Sequence, residues 1–270
     1  MPTSFASLFG SRKPLLAMIH VPPLPGTPAY AGEWQQVLAK ISAEATLLRD
    51  SGVDGLLLEN MHDTPYLNRE VGPEIVSSMT AAALRVKEIA PNLPCGMQIL
   101  AGANKAALAV ALAADLQFIR AEGFVFGHLA DEGWMNSDAA ELLRYRRLIN
   151  AEHISVFTDI KKKHSAHAMS ADVSLAETAH AAQFFRSDGL IITGSATGTQ
   201  ANEQDVKAVQ MACPELPILV GSGITAENAT TFKPLVDGVI VGSYLKQKGH
   251  WANDLSSGRI DKLVTAWNNS

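Results

Sequence analysis

A (β/α)8 barrel is the fold class predicted here, on three observations. Eight short apolar runs recur along the chain, amphipathic helical stripes lie between them, and polar residues gather where the runs end. The runs are Leu15–Ile19, Gly55–Leu58, Cys95–Ile99, Leu116–Ile119, Ile154–Phe157, Leu190–Ile192, Ile218–Val220 and Val239–Val241. Each has the length of a buried parallel strand, and most are flanked by Gly, Pro or Asp.

The stripes between them repeat at helical spacing. Trp34, Val37, Leu38, Ile41, Ala45 and Leu48 make one, and Ile75, Met79, Ala82 and Val86 a second. Leu175, Ala179, Ala182 and Phe185 make a third, and Ile260, Leu263, Val264 and Trp267 predict a C-terminal helix packed on the outside. Eight regular units favour closure over the alternative, an open flavodoxin-like sheet with additions. No linker or break in composition divides the 270 residues, so a single barrel domain, 1–270, is expected.

Composition excludes several classes of function. Apolar residues make up 47% and charged ones 18%, enough for a large core and unlike a disordered chain. A net charge of −5 argues against a nucleic-acid partner. No apolar run reaches the roughly 18–20 residues of a membrane span, and Met1-Pro-Thr-Ser-Phe5 lacks the plan of a secretory signal. The two cysteines, Cys95 and Cys213, have no metal-ligand spacing and no disulfide framework. They read as packing residues in a cytoplasmic protein.

In such a barrel the C-terminal strand ends converge on one mouth. His20 follows strand one, Glu59 and Asn60 end strand two with Asp63 just beyond, and Gln98 lies in strand three. Arg120 ends strand four, Asp159 ends strand five, and Thr193 closes strand six. Charge at the end of an apolar strand is costly unless partnered, so the set points to a functional mouth. The structural alternative is ion pairs that close the barrel top, for instance Glu59 with Arg120. Lys161-Lys162-Lys163-His164, directly after strand five, could neutralise a phosphate or supply a base or Schiff-base amine.

Strand seven runs into Gly221-Ser222-Gly223-Ile224-Thr225-Ala226-Glu227-Asn228, and strand eight into Gly242-Ser243-Tyr244-Leu245-Lys246. Glycines let backbone N–H groups approach a ligand, and a helix opening after each loop would add its positive dipole end. Two such loops at the last two strand ends match the place where barrels commonly bind phosphate. Thr193-Gly194-Ser195-Ala196-Thr197-Gly198-Thr199 after strand six suits a lid or a second anion contact, or a plain connection.

The chain also resembles the BtpA/SgcQ family over nearly its whole length. Similar blocks are Lys13 to His20 with Pro22-Pro-Leu-Pro-Gly26 and Pro28, Asp54 to Asn60 with Asp63 and Pro65, and Phe118-Ile-Arg120. Asp159 with Lys163-His164, Ile192-Thr-Gly194 with Thr197-Gly198, and the closing glycine blocks with Asn228, Asp237-Gly238 and Lys246 continue the likeness. The chain departs from it at Ala101-Gly102-Ala103-Asn104, where an Asn-Asp type motif is expected, and at Ala121-Glu122-Gly123, where a Val-Asn type continuation is expected. The resemblance implies a ribulose-phosphate-binding type of barrel. It also implies either sugar metabolism or a role in photosystem I biogenesis at a membrane surface.

Two functions are therefore expected as alternatives. The first is an enzyme on a small phosphorylated metabolite, a sugar phosphate or nucleotide, doing isomerisation, epimerisation or aldol cleavage. His20, Glu59 and Asp159 would do acid/base work, while Arg120 and Lys163 stabilise negative charge. Asn60, Thr193, Gly194, Gly221, Ser222, Gly223, Gly242 and Ser243 would bind the substrate and its phosphate. No cofactor is expected; a divalent metal on Glu59, Asp63 and Asp159 is a weaker alternative. The second is a non-catalytic assembly or stability factor, associating with a membrane only peripherally. A homo-oligomer is expected in either case.

Overall fold

A computed structural model describes residues 4–162, 164–194 and 198–270. Eight parallel strands close into a barrel: β1 (Leu15–His20), β2 (Gly55–Glu59), β3 (Cys95–Gln98), β4 (Phe118–Ala121), β5 (Ser155–Ile160), β6 (Gly189–Ile192), β7 (Ile218–Val220) and β8 (Gly238–Val241). Each strand pairs with its sequence neighbours, and β8 closes on β1 through Leu15↔Val239 and Ala17↔Val241. The fold is a TIM barrel, and every predicted strand is present. Four strands run further toward the mouth than the apolar runs suggest: β1 takes in His20 and β2 takes in Glu59, and β4 and β5 extend by two and three residues. Leu116 belongs to the turn that ends the preceding helix, its N–H on the Ala111 carbonyl, so β4 starts at Phe118. β5 continues to Ile160. Arg120 and Asp159 consequently lie within strands rather than just past them.

Alternation along each strand sorts the residues into two cores. Leu16, Met18, Leu57, Phe118, Phe157, Ile191, Leu219 and Ile240 fill the barrel interior. Leu15, Ala17, Ile19, Leu56, Leu58 and their counterparts point outward, against the helices. Gly96 lies on the interior face beside Phe118, which leaves no room for a side chain: a Cβ there would fall 2.1 Å from the phenyl ring. Below this layer the interior is stoppered by a helix the sequence reading missed, α1 (Phe5–Phe9). Phe9 meets Phe118 at 6.4 Å between centroids, and Phe5 meets Phe157 at 5.9 Å.

The outer ring comprises α2 (Trp34–Asp50), α3 (Pro73–Ile89), α4 (Asn104–Ala113), α5 (Ala139–Leu148), α6 (Leu175–Phe184) and α7 (Glu203–Ala212), then the short α8 (Ala229–Phe232) and the C-terminal α9 (Ser257–Asn268). All four predicted stripes are helical except at Phe185, which caps α6 just past its end and is exposed. α6 starts on a capping box, Ser174 with Glu177. α9 docks as expected: Trp267 is buried and its indole N–H donates to the Lys13 carbonyl at 2.8 Å, tying the last helix to the entrance of β1. The segment between β4 and α5 holds a hairpin, His128–Ala130 with Gly133–Met135, joined by Ser165–Ala166 into a small antiparallel sheet. Among the described residues no helix is long and apolar enough to cross a membrane.

Phe9→Ala should lower unfolding stability by about 3 kcal/mol, the usual cost of deleting a buried aromatic side chain. A urea midpoint that stays put would show that α1 contributes no packing to the barrel floor.

Candidate functional site

Above the apolar interior layer, each strand places one more residue on the inner face. In chain order these are His20, Glu59, Gln98, Arg120, Asp159, Thr193, Gly221 and Gly242. The register His20↔Glu59↔Gln98 sets the first three side by side. The mouth opens as two cavities. One, of about 170 Å³, lies over the loops after β7 and β8 and reaches His20 and Glu59. The other, of about 220 Å³, lies over β3 to β5 and is lined by Gln98, Arg120, Glu122 and Lys162. Glu59 and Met61 belong to both.

Arg120 and Asp159 form the buried centre. The guanidinium Nε lies 3.2 Å from both carboxylate oxygens and Nη2 lies 3.0 Å from Oδ2, with side-chain exposures of 2% and 1%. Burial works against the charge on Arg120, but Asp159 and, further off, Glu59 and Glu122 outweigh it and raise its pKa. The pairing that closes the top is thus Arg120 with Asp159, not Arg120 with Glu59. Glu59 instead lies 3.8 Å from Nε2 of His20. The other ring nitrogen, Nδ1, is 3.1 Å from the Trp251 carbonyl, and since a carbonyl only accepts, Nδ1 bears a proton. That bond aims Nε2 toward Glu59, across a gap longer than a hydrogen bond that one water or substrate hydroxyl would span.

Lys161 has a left-handed backbone, φ 49°, and its amine contacts the Val173 carbonyl. The left-handed step shifts the alternation by one, so Lys162 enters the mouth. Its Nζ is 3.2 Å from Glu122 and 3.8 Å from Glu132, which the hairpin after β4 carries. Burial would depress the Lys162 pKa; Glu122 and Glu132 override it, and the net shift is upward. A lysine held protonated supplies charge rather than a free amine, which removes it as a Schiff-base nucleophile in this state. Lys163 lies outside the described residues, as do Ser195 to Thr197 of the loop after β6.

The loops after β6 and β7 are locked together. The Gly194 N–H donates to the Ser222 hydroxyl at 2.7 Å, and that hydroxyl donates to the Thr199 carbonyl at 2.9 Å. The Ser222 side chain is thereby committed to joining two loops, leaving backbone to face the cavity. Gly223 has φ 72°, and a Cβ there would collide with the Gln200 backbone, so this glycine permits loop–loop contact. Asn228 staples the turn, accepting from the Thr225 N–H at 2.8 Å and donating to the Gly223 carbonyl at 2.9 Å. The expected helix dipoles are curtailed: α8 has four residues, and β8 is followed by two short 3-10 turns, Ser243–Leu245 and Gln247–Gly249, before α9. The positive charge comes from elsewhere. Arg259 of α9 lines the cavity, with Nε on the Tyr244 carbonyl at 2.6 Å and its guanidinium 4.2 Å from the Tyr244 ring centroid. Lys246 faces away, buried against Glu44 of α2 at 2.8 and 3.0 Å, which pins the loop after β8.

The remaining candidates are placed as follows. Asn60 is fully buried, accepting from the Leu100 N–H at 2.7 Å and donating to Asp63 at 3.3 Å. Asp63 accepts from the Leu24 N–H at 3.1 Å and from the Thr27 hydroxyl, clasping the first two strand-end loops. Neither lines the two cavities. Ser243 and Gly242 line the first, and a Cβ on Gly242 would sit 2.9 Å from Nε2 of His20. Thr193 stands beside Gly221, its hydroxyl oxygen buried without a partner among the described residues. Among those residues no three His, Cys, Asp or Glu are grouped to hold a metal; Asp63 and Asp159 are taken up as described.

The chain belongs to the BtpA family, whose model matches residues 11–269. It is 50% identical to an uncharacterized mitochondrial protein of Caenorhabditis elegans over 96% of this chain and 95% of that one. It is 30% identical to the Photosystem I biogenesis protein BtpA of Synechocystis, covering 96% and 89%. Among solved structures it is similar to orotidine 5'-monophosphate decarboxylase of Methanocaldococcus jannaschii in complex with the inhibitor BMP, with a TM-score of 0.60 at 13% identity over 95% and 99% of the chains. It is also similar to phosphoribosyl anthranilate isomerase of Thermus thermophilus, with 0.56 at 14% over 95% and 98%. At such identities the likeness shows the fold.

Arg120→Met should cost about 3–5 kcal/mol by stranding Asp159, and Arg120→Met with Asp159→Leu should recover most of it. Equal losses in the single and double variants would remove the pair from the stability of the mouth. Burial, then Lys162 and His167, hold His128 at a pKa of about 4, against 6.5 when unfolded. The unfolded chain therefore binds the proton first, and this contribution is intact above pH 6.5 and lost as pH falls toward 4. Burial lifts Asp138 to about 6 despite Arg69 and Asn104, an opposing slope. The readout is thus the difference between proteins: His128→Gln should lose less stability than the parent between pH 7 and pH 5.

Proposed function

We propose that this BtpA-family barrel is an enzyme acting on a small phosphorylated metabolite. The phosphate sits over the backbone of Gly221 to Thr225 and of Gly242 to Tyr244, facing Arg259, and the reacting end reaches the second cavity. One observation carries this reading: the glycine-walled cavity and the charged cavity meet at Glu59. A phosphate bound in the first would hold a carbon skeleton across that carboxylate. The solved barrels support it as analogues. One is described in complex with an inhibitor and another with reduced 1-(o-carboxyphenylamino)-1-deoxyribulose 5-phosphate.

The chemistry that fits is proton transfer beside a carbonyl, as in isomerisation, epimerisation or aldol cleavage. Glu59 takes the proton, and Nε2 of His20, 3.8 Å away, exchanges protons with it through one bridging water or substrate hydroxyl. Lys162 stabilises the negative charge that develops on oxygen. Asp159, bound to Arg120 through three contacts, is a positioning residue, and Arg120 brings little unbalanced charge. Cys95 and Cys213 are buried free thiols, consistent with a reducing cytoplasm. A second reading, an assembly factor, has the name of the Synechocystis relative in its favour. Exposed Leu148, Phe184 and Met211 give apolar surface on which a homo-oligomer could form.

A phosphorylated ligand at about a hundred times its Kd should add roughly 2.7 kcal/mol of stability, or a few degrees in Tm for a chain of this size. Arg259→Ala should abolish most of that shift. Glu59→Gln should keep the shift while lowering turnover about 10²- to 10⁴-fold. No Tm shift across a panel of sugar phosphates and nucleotides would favour the assembly factor.

A further inference from the structure

Gln98 ends β3 at the floor of the second cavity and is 1% exposed. Its amide orientation is fixed by chemistry. Nε2 donates to Glu122 at 3.3 Å, and since a carboxylate only accepts, turning the amide over would set oxygen against oxygen. Oε1 is therefore the atom left over, and no donor among the described residues reaches it. A buried acceptor without a donor is costly, so its persistence in a cavity wall points to a donor brought by a ligand.

Two further acceptors face the same space. Oε2 of Glu132 is buried with no hydrogen bond among the described residues; Lys162 stands 3.8 Å away, past bonding distance. The Tyr66 hydroxyl donates its proton to the Met61 carbonyl at 2.7 Å, so only its lone pairs remain. The cations in the wall are engaged, Arg120 on Asp159 and Lys162 on Glu122. The wall also holds the carboxylates of Glu59, Glu122 and Asp131, so a ligand carboxylate is repelled and a donor is what the space takes. A hydroxyl supplies that donor and, unlike an ammonium, also accepts, so it fits beside Arg120 and Lys162 as well.

Building on the phosphate reading above, we infer that the end of the ligand remote from its phosphate carries neighbouring hydroxyls, one of which donates to Oε1 of Gln98. The substrate class is then a phosphorylated sugar with a free diol, as opposed to a phosphorylated keto acid; a phosphorylated polyol presents the same hydroxyls and serves as a binding probe. Discrimination arises because a site built around bare acceptors penalises any ligand that leaves them bare.

Calorimetric titration of the full chain with inorganic phosphate, ribitol 5-phosphate and n-pentyl phosphate tests this. The last has the same carbon count and no free hydroxyls. Ribitol 5-phosphate should bind the parent about ten-fold more tightly than pentyl phosphate. Gln98→Met should erase most of that advantage and leave inorganic phosphate within about two-fold. The parent comparison stands even if Gln98→Met fails to fold. Pentyl phosphate binding as tightly as ribitol 5-phosphate overturns the inference while sparing the phosphate site. An equal loss for all three ligands in folded Gln98→Met also overturns it. Failure of all three to bind the parent removes the phosphate reading and this inference together.

Discussion

The mouth depends on a parity constraint. In a closed barrel every second residue of a strand points inward, and parallel register makes the inward residues of adjacent strands form layers. Here the apolar layer around Phe118 and Phe157 is followed by a layer containing His20, Glu59, Gln98, Arg120 and Asp159. A one-residue slip of β5 would send Asp159 into the helix interface and strand Arg120 on the inside. Register and charge balance therefore protect each other. The Arg120–Asp159 pair cannot form unless β4 and β5 align, and the aligned strands cannot bury Arg120 cheaply without its partner.

Around that fixed layer, the two sides of the mouth are built by different means. On the β6 to β8 side, side-chain hydrogen bonds join loop to loop, and glycines permit the approach. Ser222 bridges Gly194 and Thr199, Gly223 lies against Gln200, and Asn228 closes the turn. The result is a wall of backbone with one arginine, a surface suited to an anion of little further structure. On the β3 to β5 side the wall consists of charged and amide side chains in mutual contact. Such a surface reads the detail of a ligand, because each group has a partner it can keep or lose. Under the proposed function, the first half would grip the phosphate and the second would discriminate among the molecules that carry one.

Much of this was legible in the chain. The eight apolar runs, the four stripes and the strand-end polar residues follow from local periodicity, and local periodicity survives folding wherever strands stay regular. His20, Glu59, Gln98, Arg120 and Asp159 were readable for that reason. Lys162 was not, because a single left-handed residue, Lys161, breaks the count just where the strand ends. Its neighbour Glu122 stood in plain view within a motif that departs from the family pattern, yet only the alternation continued past β4 would have singled it out.

Sequence alone determined the barrel, the order of its strands and the polar character of its upper layer, since these rest on which residues dislike water and how often they recur. Tertiary structure alone decided the partners: Arg120 with Asp159, Trp251 holding His20, Arg259 arriving from the last helix, and Gln98 with one bare oxygen. Those are contacts between segments tens to hundreds of residues apart. Distance along the chain carries no signal of them, because closure of the barrel is what brings the segments together.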